Sequence, residues 1–461
     1  MTDGPARVVS LAERAEQRQA EGLDVKRPLD AARLLRERAK VGGWHGIANV
    51  AGGFYEWDGE CWRPLPQPRL DARIYAMLEQ AAAPAHRRSV GDVVHALAAL
   101  SFVPGAPPFW MPGAEGPDPL DLVPLRNGLY HPAAKKLYPH TPALFNVSAA
   151  PVSFDPDATC PRWERFVGEA IPDADSRRAL QQFMGVLVCS RTTKYQRALT
   201  MIGPPRSGKG VIQRTITALV GRDAVAAPTF DELGGRFGLS GLIGKTVATI
   251  TDARIVPGDQ GRGALQKFLA LTGEDHVQVE MKYGPPQTMR LPVRLLIASN
   301  DVPVFRDASS AATARLLLIR SGASHVGTES LDLEDELAAE LPGIFNWCAA
   351  GLADLEGCGR FVQPADGQAL LDELRDASSP IGAFVRERCE LRPDEWIAKA
   401  SIFNAWCDWC REEGRNPGEL AAFARALHAA APGISATRGR DENGKRYQRF
   451  NGIRLALEPG P

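Results

Sequence analysis

Eight consecutive residues, GPPRSGKG at 203–210, constrain this 461-residue chain more than any other stretch. They follow a short apolar run, RALTMIG, and precede VIQRTITALVG, in which Ile212, Ile216 and Leu219 recur on one helical face. Strand, turn and helix therefore occur in the order that a phosphate cradle needs. Backbone N–H groups at the helix start would surround a β-phosphate, Gly208 permits close backbone approach, and Lys209 reaches the β- and γ-phosphates. The candidate ATP-binding set is the loop and the residue after it: Gly203, Pro204, Pro205, Arg206, Ser207, Gly208, Lys209, Gly210 and Val211. One position departs from the pattern. Gly210 stands where a Ser or Thr hydroxyl ordinarily holds Mg2+, and Val211 offers none, so a water oriented by another carboxylate must fill that place and magnesium binding is expected to be weaker.

Apolar strands alternate with helical segments from Ala198 to about Leu355, the pattern of an α/β domain with a parallel central sheet. GKTVATITDARI gives a second strand ending in Asp252, a carboxylate placed where magnesium needs one, although an Asp capping the next turn reads the same way. No Glu adjoins it to serve as a base. RLPVRLLIASN ends in Asn300, suited to position a water beside a γ-phosphate. DASSAATARLLLIR sets Arg315 before another strand, where it reads as a cation for a neighbouring subunit's γ-phosphate or as half of an internal salt bridge.

In this order the segments GPPRSGKG, ITDAR, LQKFLALTGEDHVQVEMKYGPP, LLIASNDVP and ARLLLIR resemble superfamily 3 helicases, the helicase half of satellite-phage, plasmid and poxvirus primase-helicases. Upstream, GGFYEWDGECWRP and LRNGLYHP are similar to the module that precedes the helicase in those proteins. The resemblance implies an AAA+ P-loop fold, a ring that is usually hexameric, ATP with Mg2+ between subunits, and single-stranded DNA in the channel. It assigns catalytic roles to Lys209, Asp252, Asn300 and Arg315, and makes Asp252 the metal residue. The channel hairpin becomes VQVEMKYGPPQTMRLPV, with Lys282 matching the family's channel lysine, Tyr283 beside it, and Lys267 on the preceding helix as a further DNA contact.

Net charge is -1, from 54 basic and 55 acidic residues, so no overall positive field draws the chain onto nucleic acid. A ring answers this by concentrating one lysine from each subunit in its channel. The basic residues instead cluster near the C-terminus, where Arg438, Arg440, Lys445, Arg446 and Arg449 sit in a hairpin expected to turn at Asn443-Gly444. Helices followed by such a hairpin resemble a winged helix, with duplex DNA as its partner and Arg425 assisting. Absence of a signal peptide and of any long apolar run points to a cytoplasmic protein with no membrane partner. Cys407 and Cys410 form a lone pair with no second ligand pair, so helix-face cysteines outweigh zinc.

The expected division is a charged helical or disordered leader to residue 40, an α+β module over 41–155, a helical collar over 156–195, the AAA+ domain over 196–357 and a winged-helix-like domain over 358–461. In the collar, Trp163, Phe166 and Val167 form one apolar stripe and Leu180, Phe183, Met184 and Leu187 another. Two functions fit: a ring-shaped ATP-dependent DNA helicase of a phage, plasmid or integrated mobile element, or an ATP-binding ring that tethers or loads replication proteins without efficient unwinding. The first 40 residues are too short for the carboxylate-bearing domain of a primase, so primer synthesis falls to a separate partner.

Overall fold

The computed structural model describes residues 24–105, 107–190, 194–251, 259–280, 286–300, 311–324, 327, 332–378, 380–440 and 446–456. The chain begins with a helix, α1 (Pro28–Arg38), that has Pro at its first position, Asp30 in its first turn and Arg36 and Arg38 in its last, each matched to the helix dipole. Its Ala31, Ala32, Leu34 and Leu35 are buried against α2 (Gln67–Gln80) and α3 (Arg87–Leu100). This helix thus belongs to the first module's core, upstream of the boundary expected at 41, and is no separate leader. The pairs β1 (Lys40–Val41) with β2 (Trp44–His45), and the meander β3 (Ile47–Val50), β4 (Gly53–Trp57), β5 (Trp62–Pro64), complete this layer.

A short ladder of β6 (Phe109–Trp110) with β10 (Leu144–Phe145) closes the meander through aromatic packing: the Trp62 and Phe145 rings lie 5.2 Å apart. A second meander, β7 (Val123–Leu125), β8 (Gly128–His131) and β9 (Lys136–Tyr138), points elsewhere. Its Val123, Leu125 and Tyr130 enter the same core as Trp163, Phe183, Phe345 and the central sheet.

Helices α4 (Pro161–Ala170) and α5 (Ala174–Cys189) carry the two apolar stripes, and all seven of those side chains are buried. The central sheet is five-stranded and wholly parallel. It comprises β11 (Ala198–Ile202), β12 (Val225–Ala226), β13 (Val247–Thr251), β16 (Arg294–Ser299) and β17 (Leu316–Arg320), in the order β12-β13-β16-β11-β17. Near-continuous apolar runs such as LLIA and LLLI suit a sheet covered on both faces. One face packs on α4, α5, α6 (Lys209–Val220), α10 (Leu333–Ala339) and α11 (Leu341–Cys358); the other on α7 (Phe230–Gly234), α8 (Asp259–Gly273), α9 (Ala311–Ala314) and α12 (Ala365–Ser378). A two-stranded hairpin, β14 (Val277–Val279) with β15 (Gln287–Met289), packs on the second of these faces through Val277 and Val279.

The remaining chain runs α13 (Pro380–Arg388), β18 (Cys389–Ala398), α14 (Lys399–Glu412), α15 (Leu420–Ala430), β19 (Ser435–Arg440) and β20 (Arg446–Leu455). Its sheet has the antiparallel order β18-β20-β19, and Phe384, Trp406, Trp409, Phe423 and Phe450 form a core of its own. Cys410 lies in that core, where burial raises its thiol pKa; Cys407 lies on the same helix, half-buried.

Helices α5 and α11 cross with their backbones in contact. A Cβ on Gly185 would sit 2.4 Å from the Leu352 amide nitrogen and 2.5 Å from the Cys348 carbonyl oxygen, and one on Gly351 would sit 2.2 Å from the Gln181 carbonyl oxygen. Backbone cannot swing aside as a side-chain tip can. Gly185→Val is therefore expected to cost about 3 kcal/mol and to lower the thermal midpoint of the domain by roughly 5–10 °C. Gly357→Ala, on the same α11 but with nothing within 4 Å, should leave it unchanged or slightly raised; differential scanning calorimetry of both variants checks the contrast.

Candidate nucleotide site

The glycine-rich turn joins the C-terminal end of β11 to α6. Gly208 caps α6 in the left-handed region, at φ +91°, and an added Cβ would press 2.9 Å from Ala170 Cβ and 3.2 Å from the Phe166 ring. Only glycine meets both demands. The turn thus leans on the end of α4. From the other side it is held by the exit of β17: Ser207 Oγ and Ser321 Oγ are 2.7 Å apart, Ser321 N donates to Ile202 O at 2.7 Å, and Ser324 Oγ donates to Pro205 O at 2.8 Å. Gly203 passes so close to this exit that a Cβ there would lie 2.0 Å from Ser321 Oγ. Pro204, Pro205 and Arg206 form the exposed crest, with Arg206 at φ +59°.

Lys209, the first residue of α6, is 9 % exposed. Its ammonium donates to Gly203 O at 2.6 Å, Pro204 O at 2.7 Å, Ser207 Oγ at 3.3 Å and Asn300 Oδ1 at 3.3 Å. All four are neutral oxygens, and burial lowers the lysine's pKa. A desolvated cation whose partners among the described residues are dipoles, beside the amide donors of a helix N-terminus, is electrostatically suited to a polyphosphate. The loop residues therefore fit ATP on geometry and charge.

β16 lies between β11 and β13, pairing Ile202 with Ser299 and Thr251 with Ala298. Asn300 follows β16, so the sheet brings it beside Lys209, as their hydrogen bond records. Asp252 follows β13, two strand spacings or roughly 10 Å across from β11, and itself lies outside the described residues. At Gly210 a Cβ would meet only the tip of Arg214, at 3.1 Å, a flexible side chain whose guanidinium pairs with Glu334 at 2.7 Å on the surface. The helix would thus accept a hydroxyl-bearing residue there. Val211 packs against the main core and presents nothing polar.

Arg315 falls at the opposite end of the sheet. It precedes β17, its carbonyl accepts from Ala198 N at 2.8 Å, and the length of β11, roughly 15 Å, separates it from this chain's own loop. Its guanidinium donates to Gln196 Oε1 at 2.6 Å and Thr272 O at 3.3 Å, so among the described residues its partners are an amide and a carbonyl. Lys267 is not brought to the hairpin. Its half-buried ammonium donates to the carbonyls of Gly234, at 3.3 Å, and Gly235, at 2.5 Å, at the end of α7, and burial lowers its pKa. Those bonds make it a tie between α8 and α7, which disfavours the DNA contact expected from sequence. Lys282 and Tyr283, between β14 and β15, and Lys445 lie outside the described residues. Arg438 and Arg446 are exposed on β19 and β20, Arg440 ends β19, and Arg449 is half-buried.

Sequence reading missed Ser321, Ser324 and Phe166. Each acts from more than 30 residues away in sequence, and none is chemically distinctive.

Residues 32–172 match the family described as D5 N terminal like, and residues 201–315 match a family of unknown function (DUF5906). Among solved structures, the apo structure of the NrS-1 C terminal region (305-718) is similar at 10% identity with a TM-score of 0.55, covering 93% of this chain and 99% of that one. An A form apo structure of the same region gives 9% identity and a TM-score of 0.52, over 88% of this chain and 96% of that one. At such identities the likeness shows a shared fold alone. The D5-like match is confined to the first part of the chain, and the solved structures add the fold that the rest shares.

Proposed function

We propose that the chain is the subunit of a superfamily 3, AAA+-type DNA helicase ring that hydrolyses ATP to move along single-stranded DNA during replication of a phage, plasmid or integrated element. The observation that carries this reading is the Lys209 ammonium, buried at the start of α6 among neutral oxygens and bonded to Asn300. Lysine and asparagine would then share the γ-phosphate region, the first neutralising charge and the second orienting the attacking water. Asp252 is the residue that would hold Mg2+, through water in place of the hydroxyl that Gly210 lacks, and the ion would supply charge neutralisation for the phosphates.

The sheet order places one strand between the loop strand and the Asp252 strand, the arrangement in which an asparagine at that strand's end can meet the γ-phosphate. Arg315, remote from its own loop, serves only a neighbour's site, which supports a head-to-tail ring, with six subunits as the family's usual number. The hairpin β14–β15 is the proposed channel element, with Lys282 and Tyr283 touching the DNA backbone and sugars without reading sequence. At the other end, the order helix, strand, helix, helix, strand, strand from α13 to β20 supports the winged-helix reading. Arg425, exposed on α15, and Arg438, Arg440, Lys445, Arg446 and Arg449 are its proposed duplex contacts.

ATP turnover by the purified protein should rise with single-stranded DNA and fall at least about a hundredfold in Lys209→Ala. Nucleotide binding without DNA-stimulated turnover would instead favour the tethering ring. Gly210→Thr should lower the magnesium concentration for half-maximal turnover, by about threefold or more, as read in a magnesium titration of the same assay. Arg315→Ala should reduce turnover about a thousandfold yet leave nucleotide affinity within a few-fold, and mixing it with Lys209→Ala subunits should restore part of the activity if the arginine acts in trans.

A further inference from the structure

Helix α6 brings a second cation to the glycine-rich turn. Arg214 follows Gly210 by four residues, one helical turn on and about 40° round the axis, so the two share a face. Side chains on a helix lean toward its N-terminal end, and an arginine is long enough to span the turn between them. The contact is close: a Cβ built on Gly210 would lie 3.1 Å from Arg214 Nη1 and 3.8 Å from its Cζ. Lys209 points elsewhere, inward to the oxygens of Gly203, Pro204 and Asn300.

That Cβ marks a particular place. Where Ser or Thr follows the loop lysine, the hydroxyl on this carbon reaches the magnesium that neutralises the β- and γ-phosphates. Gly210 puts no side chain there, and the Arg214 guanidinium stands against the space instead. Over its whole length α6 carries these two cations, Lys209 and Arg214, and no acid.

Among the described residues the ion-pair partner of Arg214 is Glu334 of α10, with Nη2 to Oε1 at 2.7 Å and both side chains more than half exposed. A pair so open to water is held weakly. Its other terminal nitrogen, Nη1, is the one nearest the Gly210 position, and a guanidinium has donors enough for two anions. A polyphosphate at the start of α6 would offer several charged oxygens where the helix dipole already favours them, and so outcompete one exposed carboxylate.

We propose that Arg214 is a phosphate-binding residue of this site, its guanidinium supplying, over the side-chain-free Gly210, part of the charge neutralisation that a hydroxyl-held magnesium ordinarily gives. The inference rests on the nucleotide reading of the loop and adds a property to it. ATP binding here depends less on the metal than it does where a Ser or Thr follows the lysine, and Glu334 competes with the phosphates for the same guanidinium.

Isothermal titration calorimetry of the full chain with ATP, in excess magnesium and in EDTA, tests this without recourse to turnover. The wild type should keep its affinity within about tenfold when the metal is removed. Arg214→Ala should weaken ATP about tenfold in EDTA but about threefold or less in magnesium, with Arg214→Lys within about fourfold of wild type in both. Glu334→Gln frees the guanidinium and should leave the affinity unchanged or raise it by up to about fivefold. All three substitutions are at exposed positions, and circular dichroism melts check that each variant folds. No ATP binding by the wild type, or binding indifferent to Lys209→Ala, would sink the nucleotide reading itself. Binding that needs Lys209 but is unchanged in Arg214→Ala, that disappears from the wild type in EDTA, or that falls in Glu334→Gln as far as in Arg214→Ala would each overturn the role of Arg214 alone.

Discussion

The turn after β11 is rigid because its two flanks are fixed by parts of the chain remote in sequence. Ser321 and Ser324, leaving β17, hold it by hydroxyl bonds to Ser207 and Pro205, while Phe166 and Ala170 of α4 close on Gly208. Nothing in the turn could keep a buried ammonium among carbonyl oxygens by itself. With both flanks in place, Lys209 meets Asn300, and the end of β16 becomes part of the same site. The proposed chemistry therefore depends on the seating of α4 and β17 as much as on the glycines.

That seating depends in turn on the shared core. Trp163 and Phe166 of α4 pack with Phe183 of α5, Phe345 of α11 and Tyr130 of the second meander. The tight crossing of α5 over α11, glycine against backbone, sets how closely this layer approaches the sheet. Burying several such aromatic side chains, at about 2–3 kcal/mol each, outweighs any single polar contact on the surface of these helices.

The glycine-rich turn was legible in the sequence because its strand, loop and helix are contiguous and glycine leaves a specific signature. The collar stripes were legible because helical period and burial coincide. Strand order was not: placing β16 between β11 and β13 is a matter of long-range pairing that no local pattern encodes. For Lys267 the sequence position suggested DNA, and the fold adds what the sequence could not show, that the carbonyls at the end of a five-residue helix take its ammonium. β18 was passed over because CELRPDEWIA alternates poorly and contains Pro393, and its irregular register against β20 between Leu391 and Trp396 explains that loss of period. Ser321 and Ser324 could not have been singled out, since a serine after a strand is ordinary until the fold sets it against the glycine-rich turn.

The second meander sits on one side of a family boundary in sequence, yet Val123, Leu125, Tyr130 and Val152 finish the hydrophobic interior of the nucleotide half. There is no cleavage plane at that point. A cut anywhere between Val152 and Trp163 would expose the underside of α4 to water, so the upstream module behaves as the foundation of the α/β domain and any strain placed on it is felt at the turn that holds Lys209.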